Sequence, residues 1–228
     1  MDAMKRLHPE FDIPEINGLT IDSRKVEKGD LFLPLKGKNN DGHQFISEAE
    51  SSGASLAFVE TPVETSLLTK QVQSTRTLLY DLVKEFRSEL SYPLIGITGS
   101  NGKTTTKDLL FHVLSEKMDV MKTEGNYNST IGAPLSLLSF KKNADIGIIE
   151  MGANQPGEIE RICSVIKPNM GLITNIGNAH LANFESINEI SKTKSALFES
   201  LPSNGVAFIN LDDPYILRMK CIAPDSND

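Results

Sequence analysis

LIGITGSNGKTTT, residues Leu94–Thr106, is the stretch on which the fold of this chain turns. Its first part, Leu94–Thr98, is a short apolar run of the kind that forms a buried strand. Gly99 and Gly102 then allow the backbone to curl. From Lys103 the spacing of apolar residues predicts a helix to Lys117, with Leu109, Leu110, Val113 and Leu114 turned inward. A strand, a glycine turn and a helix that opens on Lys-Thr is the build of a phosphate loop. In such a loop consecutive N–H groups point at the phosphates, the lysine reaches their outer oxygens and the hydroxyl can ligate Mg²⁺. The spacing Gly99-x-x-Gly102-Lys103-Thr104 departs from the common G-x-x-x-x-G-K-T pattern, which would need glycine at Ile97. An ordinary glycine-rich turn could look similar, but the flanking strand and helix and the placement of Lys-Thr favour a nucleoside triphosphate. Gly99, Ser100, Asn101, Gly102, Lys103, Thr104 and Thr105 are therefore the candidate nucleotide-binding residues.

Downstream, strands and helices alternate. Strands are expected at Asp119–Lys122, Asp145–Ile149, Met170–Thr174 and Gly205–Asn210. Helices are expected at Ile131–Phe140, Pro156–Ile166 and Ser186–Leu201, the last opened by a capping pair, Ser186 and Glu189. Continuous apolar strands separated by helices predict an α/β fold with a mostly parallel sheet covered on both faces. Ligands bind such sheets beyond the carboxyl ends of the strands. Those ends carry the phosphate loop, Glu150, the loop with Asn175, Asn178 and His180, and Asn210 with Asp212 and Asp213. Upstream, Asp30–Leu35 and Ala54–Glu60 read as strands, Gln44–Ser52 and Thr75–Leu90 as helices. Ser91-Tyr92-Pro93 breaks the chain there, which predicts one domain over residues 1–91 and a second over 92–228.

The bulk properties narrow the choices. The chain has 228 residues, 39% hydrophobic and 23% charged, enough for a sizeable core and too apolar for disorder. A formal charge of −7 speaks against a nucleic-acid surface, although a local anion site needs only a few N–H groups. The two cysteines, Cys163 and Cys221, form no CxxC pair, so neither a disulfide framework nor structural zinc is expected. No apolar run approaches the length of a membrane span, and a cytoplasmic protein without a membrane partner is the expectation.

Individual residues carry more chemistry. Glu150 at a strand end suits Mg²⁺, a hard cation that prefers oxygen. His180 could join a metal site, position phosphate, or be a satisfied structural residue. Lys194 falls in the middle of a helical stripe of Ile187, Ile190, Leu197, Phe198 and Leu201. A lysine there must snorkel, pair with an acid, or lose its charge; a neutral amine could react with CO₂ to a carbamate. Thr123–Thr130 (TEGNYNST) is either a plain loop or a polar substrate-binding one.

Five segments in order resemble the Mur ligase family, the ATP-dependent ligases of peptidoglycan precursor synthesis: DSRKVEKGDLFLPLKGKNNDGHQFI (Asp22–Ile46), ITGSNGKTTTK (Ile97–Lys107), TEGNYNSTIGAPLSLL (Thr123–Leu138), IEMGANQPGEI (Ile149–Ile159) and LITNIGNAHLANFESINEISKTKSALF (Leu172–Phe198). EMGAN and NIGNAHL are most similar to the branch that adds D-alanyl-D-alanine. The resemblance implies a small N-terminal α/β UDP-substrate domain followed by a P-loop-type ATPase sheet. It implies that ATP phosphorylates the terminal carboxylate of a UDP-MurNAc-tripeptide, that the amine of D-Ala-D-Ala attacks the acyl phosphate, and that the enzyme acts as a monomer in the bacterial cytoplasm. Carried over by motif, Lys103 holds phosphates and Thr104 with Glu150 serves one Mg²⁺. His180 helps with a second Mg²⁺ alongside a carbamate on Lys194, derived from CO₂. Asn210 and Asp212 sit where the family contacts nucleotide. Ser23, Arg24, Asp41, Gly42 and His43 resemble the part that receives the UDP-sugar, while Thr123, Asn126 and Asn128 would line the substrate cleft. Ser129, Ala182 and Asn183 depart from the family's usual residues, near the substrate region. A folylpolyglutamate synthase-like ligase shares the phosphate loop, but the Asp22–Ile46 segment argues against it; a nucleotide-binding module without turnover is the alternative of another class. Family members have three domains, so the resemblance also implies that these residues are the N-terminal portion of a longer ligase, inactive by themselves.

Overall fold

A computed structural model describes residues 2–37, 40–177 and 183–224. The chain divides into two compact units, Met1–Glu85 and Phe86–Asp228.

The first unit is built on a four-stranded parallel sheet, in the order β1 (Leu19–Thr20), β2 (Leu31–Phe32), β3 (Leu56–Val59), β4 (Thr69–Gln71). Successive side chains alternate between faces. Phe32, Ala57 and Val59 pack with Ile46 and Ala49 of helix α2 (Ile46–Ser51). Phe58 takes the rings of His8 at 5.1 Å and Phe11 at 6.4 Å, just beyond helix α1 (Asp2–Leu7). Helix α3 (Thr75–Glu89) follows β4 and buries Leu78, Leu79, Leu82 and Val83 at helical spacing. The units divide within α3 rather than at the Ser91-Tyr92-Pro93 break. The reason is Arg87, whose guanidinium donates to the carbonyls of Leu90, Ile166 and Lys167 and to Asn169 Oδ1, all in the second unit.

The second unit is a five-stranded parallel sheet. Its strands are β5 (Leu94–Thr98), β6 (Val120–Lys122), β7 (Ile146–Glu150), β8 (Met170–Ile173) and β9 (Val206–Phe208), in the spatial order β6-β7-β5-β8-β9. One face is covered by α4 (Lys103–Ser115), whose Leu110, Phe111 and Leu114 pack on Ile95, Ile97, Val120, Ile146 and Ile148. On α4 the outcome differs from the expected face: Leu109 and Val113 are 62% and 69% exposed, and the residue buried in the first turns is Lys107. Helices α5 (Gly132–Leu138), α6 (Glu158–Ile166) and α7 (Ile187–Glu199) complete the layers, with α5 on β7 and α7 on β5 and β8. Close approach of α7 needs glycine in the strands beneath it, since a Cβ at Gly96 would stand 2.9 Å from Leu197 Cδ1. A short helix α8 (Pro214–Arg218) starts on Asp213. Among the described residues no helix is long and apolar enough to cross a membrane.

Candidate active site

The site lies at the carboxyl ends of β5, β7 and β8. After β5 the chain crosses towards β6, whereas after β7 and β8 it runs the other way, and sheets of this kind take ligands where such connections diverge. Gly99 turns the chain out of β5 with φ +147°, and a Cβ there would meet Thr174 Oγ1 at 1.9 Å, so only glycine fits. Gly102 caps α4 in the left-handed region with no side-chain hydrogen bond to the helix start. The amides of Lys103, Thr104 and Thr105 therefore open α4 with neither an intrahelical partner nor a cap, the arrangement that binds anions.

The first half of the loop is used differently. The amides of Ser100 and Asn101 donate to Asn175 O at 2.9 Å and Asn175 Oδ1 at 3.1 Å. Asn175 Nδ2 and Thr174 Oγ1 donate back to Asn101 O, at 3.0 and 2.6 Å. The Ser100 hydroxyl donates to Gly177 O and accepts from Gly177 N–H. Ser100 and Asn101 thus anchor the loop to the segment after β8, which leaves anion binding to the amides from Lys103 onward. Lys103 Nζ donates to Gly99 O at 2.8 Å and Ser100 O at 3.3 Å, folded over its own loop. Burial pulls its pKa down, while the charge of Glu150 opposes that shift.

Glu150 ends β7 and is 1% exposed. Thr104 Oγ1 lies 3.1 and 3.0 Å from its two carboxylate oxygens, and Asn128 Nδ2 donates to Oε1 at 2.8 Å. Lys107 Nζ stands 3.5 Å from Oε2. Thr123 is fully enclosed, and its hydroxyl accepts from the Glu150 amide at 3.0 Å, so it holds Glu150 in place and does not face a cleft. Asn126 is exposed on the same loop, whereas Asn128 spends its side-chain amide on Glu150.

Lys194 is 5% exposed on α7. Desolvation, helped by the nearby charge of Lys103, pushes its pKa down to about 8. Asn210 Nδ2 donates to Thr174 O at 2.9 Å and Asn210 Oδ1 accepts from the Asp212 amide at 3.1 Å, which fixes the turn after β9. Buried Asp213 accepts from Ile176 N–H at 2.7 Å and caps α8 through Tyr215 and Ile216 N–H. His180, with Asn178 and Ala182, lies outside the described residues.

The candidate residues of the first unit form a separate cluster. Ser23 is buried and donates to Glu48 Oε2 at 2.6 Å. Arg24 doubles back on Asp22 with two contacts of 2.8 Å. His43 Nδ1 lies 2.6 Å from Asp41 Oδ1 and Nε2 accepts from Glu60 N–H at 3.0 Å, so both ring nitrogens are spent inside the protein. Gly42 is packed against Leu35, where a Cβ would meet the backbone nitrogen at 2.8 Å.

Reading motifs missed Lys107, the anchoring by Asn175, and the contact of Asp213 with Ile176. Lys107 had a legible signal, because with Leu110, Phe111 and Leu114 it forms an i, i+3, i+4, i+7 stripe. The anchoring by Asn175 and the hold of Asp213 on Ile176 run through contacts distant in the chain and leave no local pattern.

Residues 97–227 match the Mur ligase middle domain, and residues 15–87 match the model described as Mur ligase family, catalytic domain. The UDP-N-acetylmuramoyl-tripeptide–D-alanyl-D-alanine ligase of Bacillus subtilis is 37% identical over 92% of this chain and 46% of its own. The Escherichia coli enzyme of the same name is 35% identical over 87% and 44%. Among solved structures, MurF from Acinetobacter baumannii superposes with a TM-score of 0.90 at 32% identity, over 97% of this chain and 51% of that one. MurF from Thermotoga maritima, in complex with ADP, gives 0.79 at 36% identity, over 89% and 47%. The chain spans about half the length of the curated relatives it matches.

Proposed function

The chain belongs to the Mur ligase family, and from that premise we propose that it carries the nucleotide site of an ATP-dependent ligase that adds D-alanyl-D-alanine to a UDP-MurNAc-tripeptide. One observation carries the nucleotide reading: the Thr104 hydroxyl meets both oxygens of the buried Glu150 carboxylate beside the uncapped start of α4. The specific reaction is taken from the relatives' names.

Phosphates would lie on the first amides of α4, with Lys103 released from its own loop to meet them. Thr104 and Glu150 offer the hard oxygen donors that suit Mg²⁺. Among the described residues no three His, Cys, Asp or Glu gather for a metal, so phosphate and water would complete its shell. The ion would supply charge neutralisation at the phosphates. The rest is positioning: a peptide carboxylate oxygen attacks the γ-phosphorus and the bond to ADP breaks. The amine of the dipeptide then attacks the acyl carbon, loses a proton, and phosphate leaves.

A carbamate on Lys194 is part of this reading. The side chain is buried and its pKa depressed, so neutral amine is present near neutral pH. That nitrogen would add to CO₂ and release a proton, giving an anion able to serve a second Mg²⁺ with His180. Ser23, Arg24 and the Asp41-Gly42-His43 turn would shape the loops that receive the UDP-sugar, and Asn210 with Asp212 would border the nucleotide. A monomer in the bacterial cytoplasm completes the proposal. Calorimetric titration of the chain with Mg²⁺ and a non-hydrolysable ATP analogue tests it. Saturable binding is expected, and no binding at millimolar nucleotide would overturn it. Phosphate release from ATP and UDP-MurNAc-tripeptide, with and without D-Ala-D-Ala, separates turnover from binding alone.

A further inference from the structure

Lys107 is the charged group of the site to which the proposed reaction gives no task. Its side chain is 2% exposed, and it projects from α4 one turn beyond Thr104, so both residues meet the same carboxylate. Nζ lies 3.5 Å from Glu150 Oε2 and 3.9 Å from Asp108 Oδ1, and donates to Gly125 O at 3.4 Å. The groups that hydrogen-bond Glu150 are neutral, a hydroxyl and an amide, and Lys103, whose charge is also felt at Glu150, is turned onto carbonyls of its own loop. An enclosed carboxylate needs a compensating charge. Lys107 supplies it before any ligand arrives, and being enclosed it cannot swing out to water.

We propose that Lys107 is the resident counter-ion of Glu150, and that it makes capture of a divalent cation there conditional on a polyphosphate. This rests on the reading of Thr104 and Glu150 as metal-holding residues. A divalent ion entering alone would approach a carboxylate already matched by a fixed ammonium, in a poorly screened place where like charges repel strongly. A nucleotide brings several negative charges to the adjacent helix start and reverses that balance. Metal and nucleotide therefore enter together, and the empty site does not load free metal.

The test is a gain of binding, which a damaged fold cannot imitate. The chain is titrated with Mn²⁺ alone, by calorimetry and by electron paramagnetic resonance. Lys107→Met and Lys107→Gln should bind nucleotide-free Mn²⁺ at least about tenfold more tightly than the wild type. Lys107→Arg, which keeps the charge, should stay as weak as the wild type. Wild-type affinity for Mn²⁺ should rise when a non-hydrolysable ATP analogue is present. If Lys107→Met unfolds because Glu150 is left unpaired, Mn²⁺ alone should refold it and raise its Tm. Unchanged Mn²⁺ affinity in the Met and Gln variants would overturn the proposal. So would a variant that stays unfolded in Mn²⁺, or wild type that binds Mn²⁺ equally with and without the analogue. Normal wild-type binding of the metal–analogue pair beside unchanged variants removes this proposal alone; failure of that pair to bind removes the ligase reading.

Discussion

The two units answer the same architectural problem, a parallel sheet with loops at its strand ends, and spend their polar residues in opposite ways. In the first unit the motif residues are consumed by one another: Arg24 by Asp22, Ser23 by Glu48, His43 by Asp41 and the Glu60 amide. In the second, the start of α4 is left uncapped, Glu150 and Lys107 are buried beside it, and Lys103 is half-buried. A motif residue can therefore serve by shaping a loop or by keeping a group unspent. Hydrogen-bond accounting tells the two apart where sequence does not.

The comparison breaks most readily at Lys103. Lys103→Ala should lower affinity for the ATP analogue by about a hundredfold or more, since a desolvated cation facing phosphate is lost. Its Tm should barely move, because Lys103 bonds only carbonyls of its own turn, which Ser100 and Asn101 hold independently. Calorimetry with a thermal melt checks both; equal affinity would place phosphate elsewhere. Asp213→Ala is the structural counterpart within the same unit. It removes the α8 cap and strands the buried Ile176 amide, which should cost about 3 kcal/mol in denaturant unfolding. Nucleotide affinity should also fall several-fold, because Asn175, which anchors the phosphate loop, lies next to Ile176.

What the sequence made legible follows the same divide. β5, β7 and β8 stand out because a buried parallel strand is a continuous apolar run, and the phosphate loop because glycine turns are local. Lys194 was legible as a cation in an apolar stripe, and it is buried. The same reasoning failed on α4, where Leu110 and Leu114 belong to two overlapping stripes. Choosing Leu109 and Val113 as partners hid Lys107, whose burial depends on Glu150 more than forty residues away. β1 and β4 are too short to show a period and are defined by their pairing with β2 and β3. Asp213 was visible as a polar strand end, but its hold on Ile176 is a tertiary contact.

In the first unit the expected effects are on stability rather than binding. His43→Ala leaves the Glu60 amide and the Asp41 carboxylate without their ring partner, at a cost of about 2 kcal/mol. Affinity for the ATP analogue should stay at the wild-type value; a large loss would mean that the ring acts on nucleotide as well as on its own loop. The smallest effect belongs to Asp22. Arg24, chiefly through its side-chain hydrogen bonds, holds the Asp22 carboxyl at about 2, below the ordinary 3.8. A folded-state pKa below the unfolded one stabilises the protein fully above the unfolded value, and that gain is lost as pH falls from about 4 through about 2. Arg24 is largely exposed, so screening holds the contribution under about 1 kcal/mol. Denaturation midpoints measured from pH 6 down to pH 2.5 should therefore fall less steeply in Asp22→Asn than in wild type, with the difference shrinking in high salt. Parallel curves would mean that this loop is held by its backbone turn alone, and that the Asp22–Arg24 pair is free to be opened by a ligand without a cost in stability.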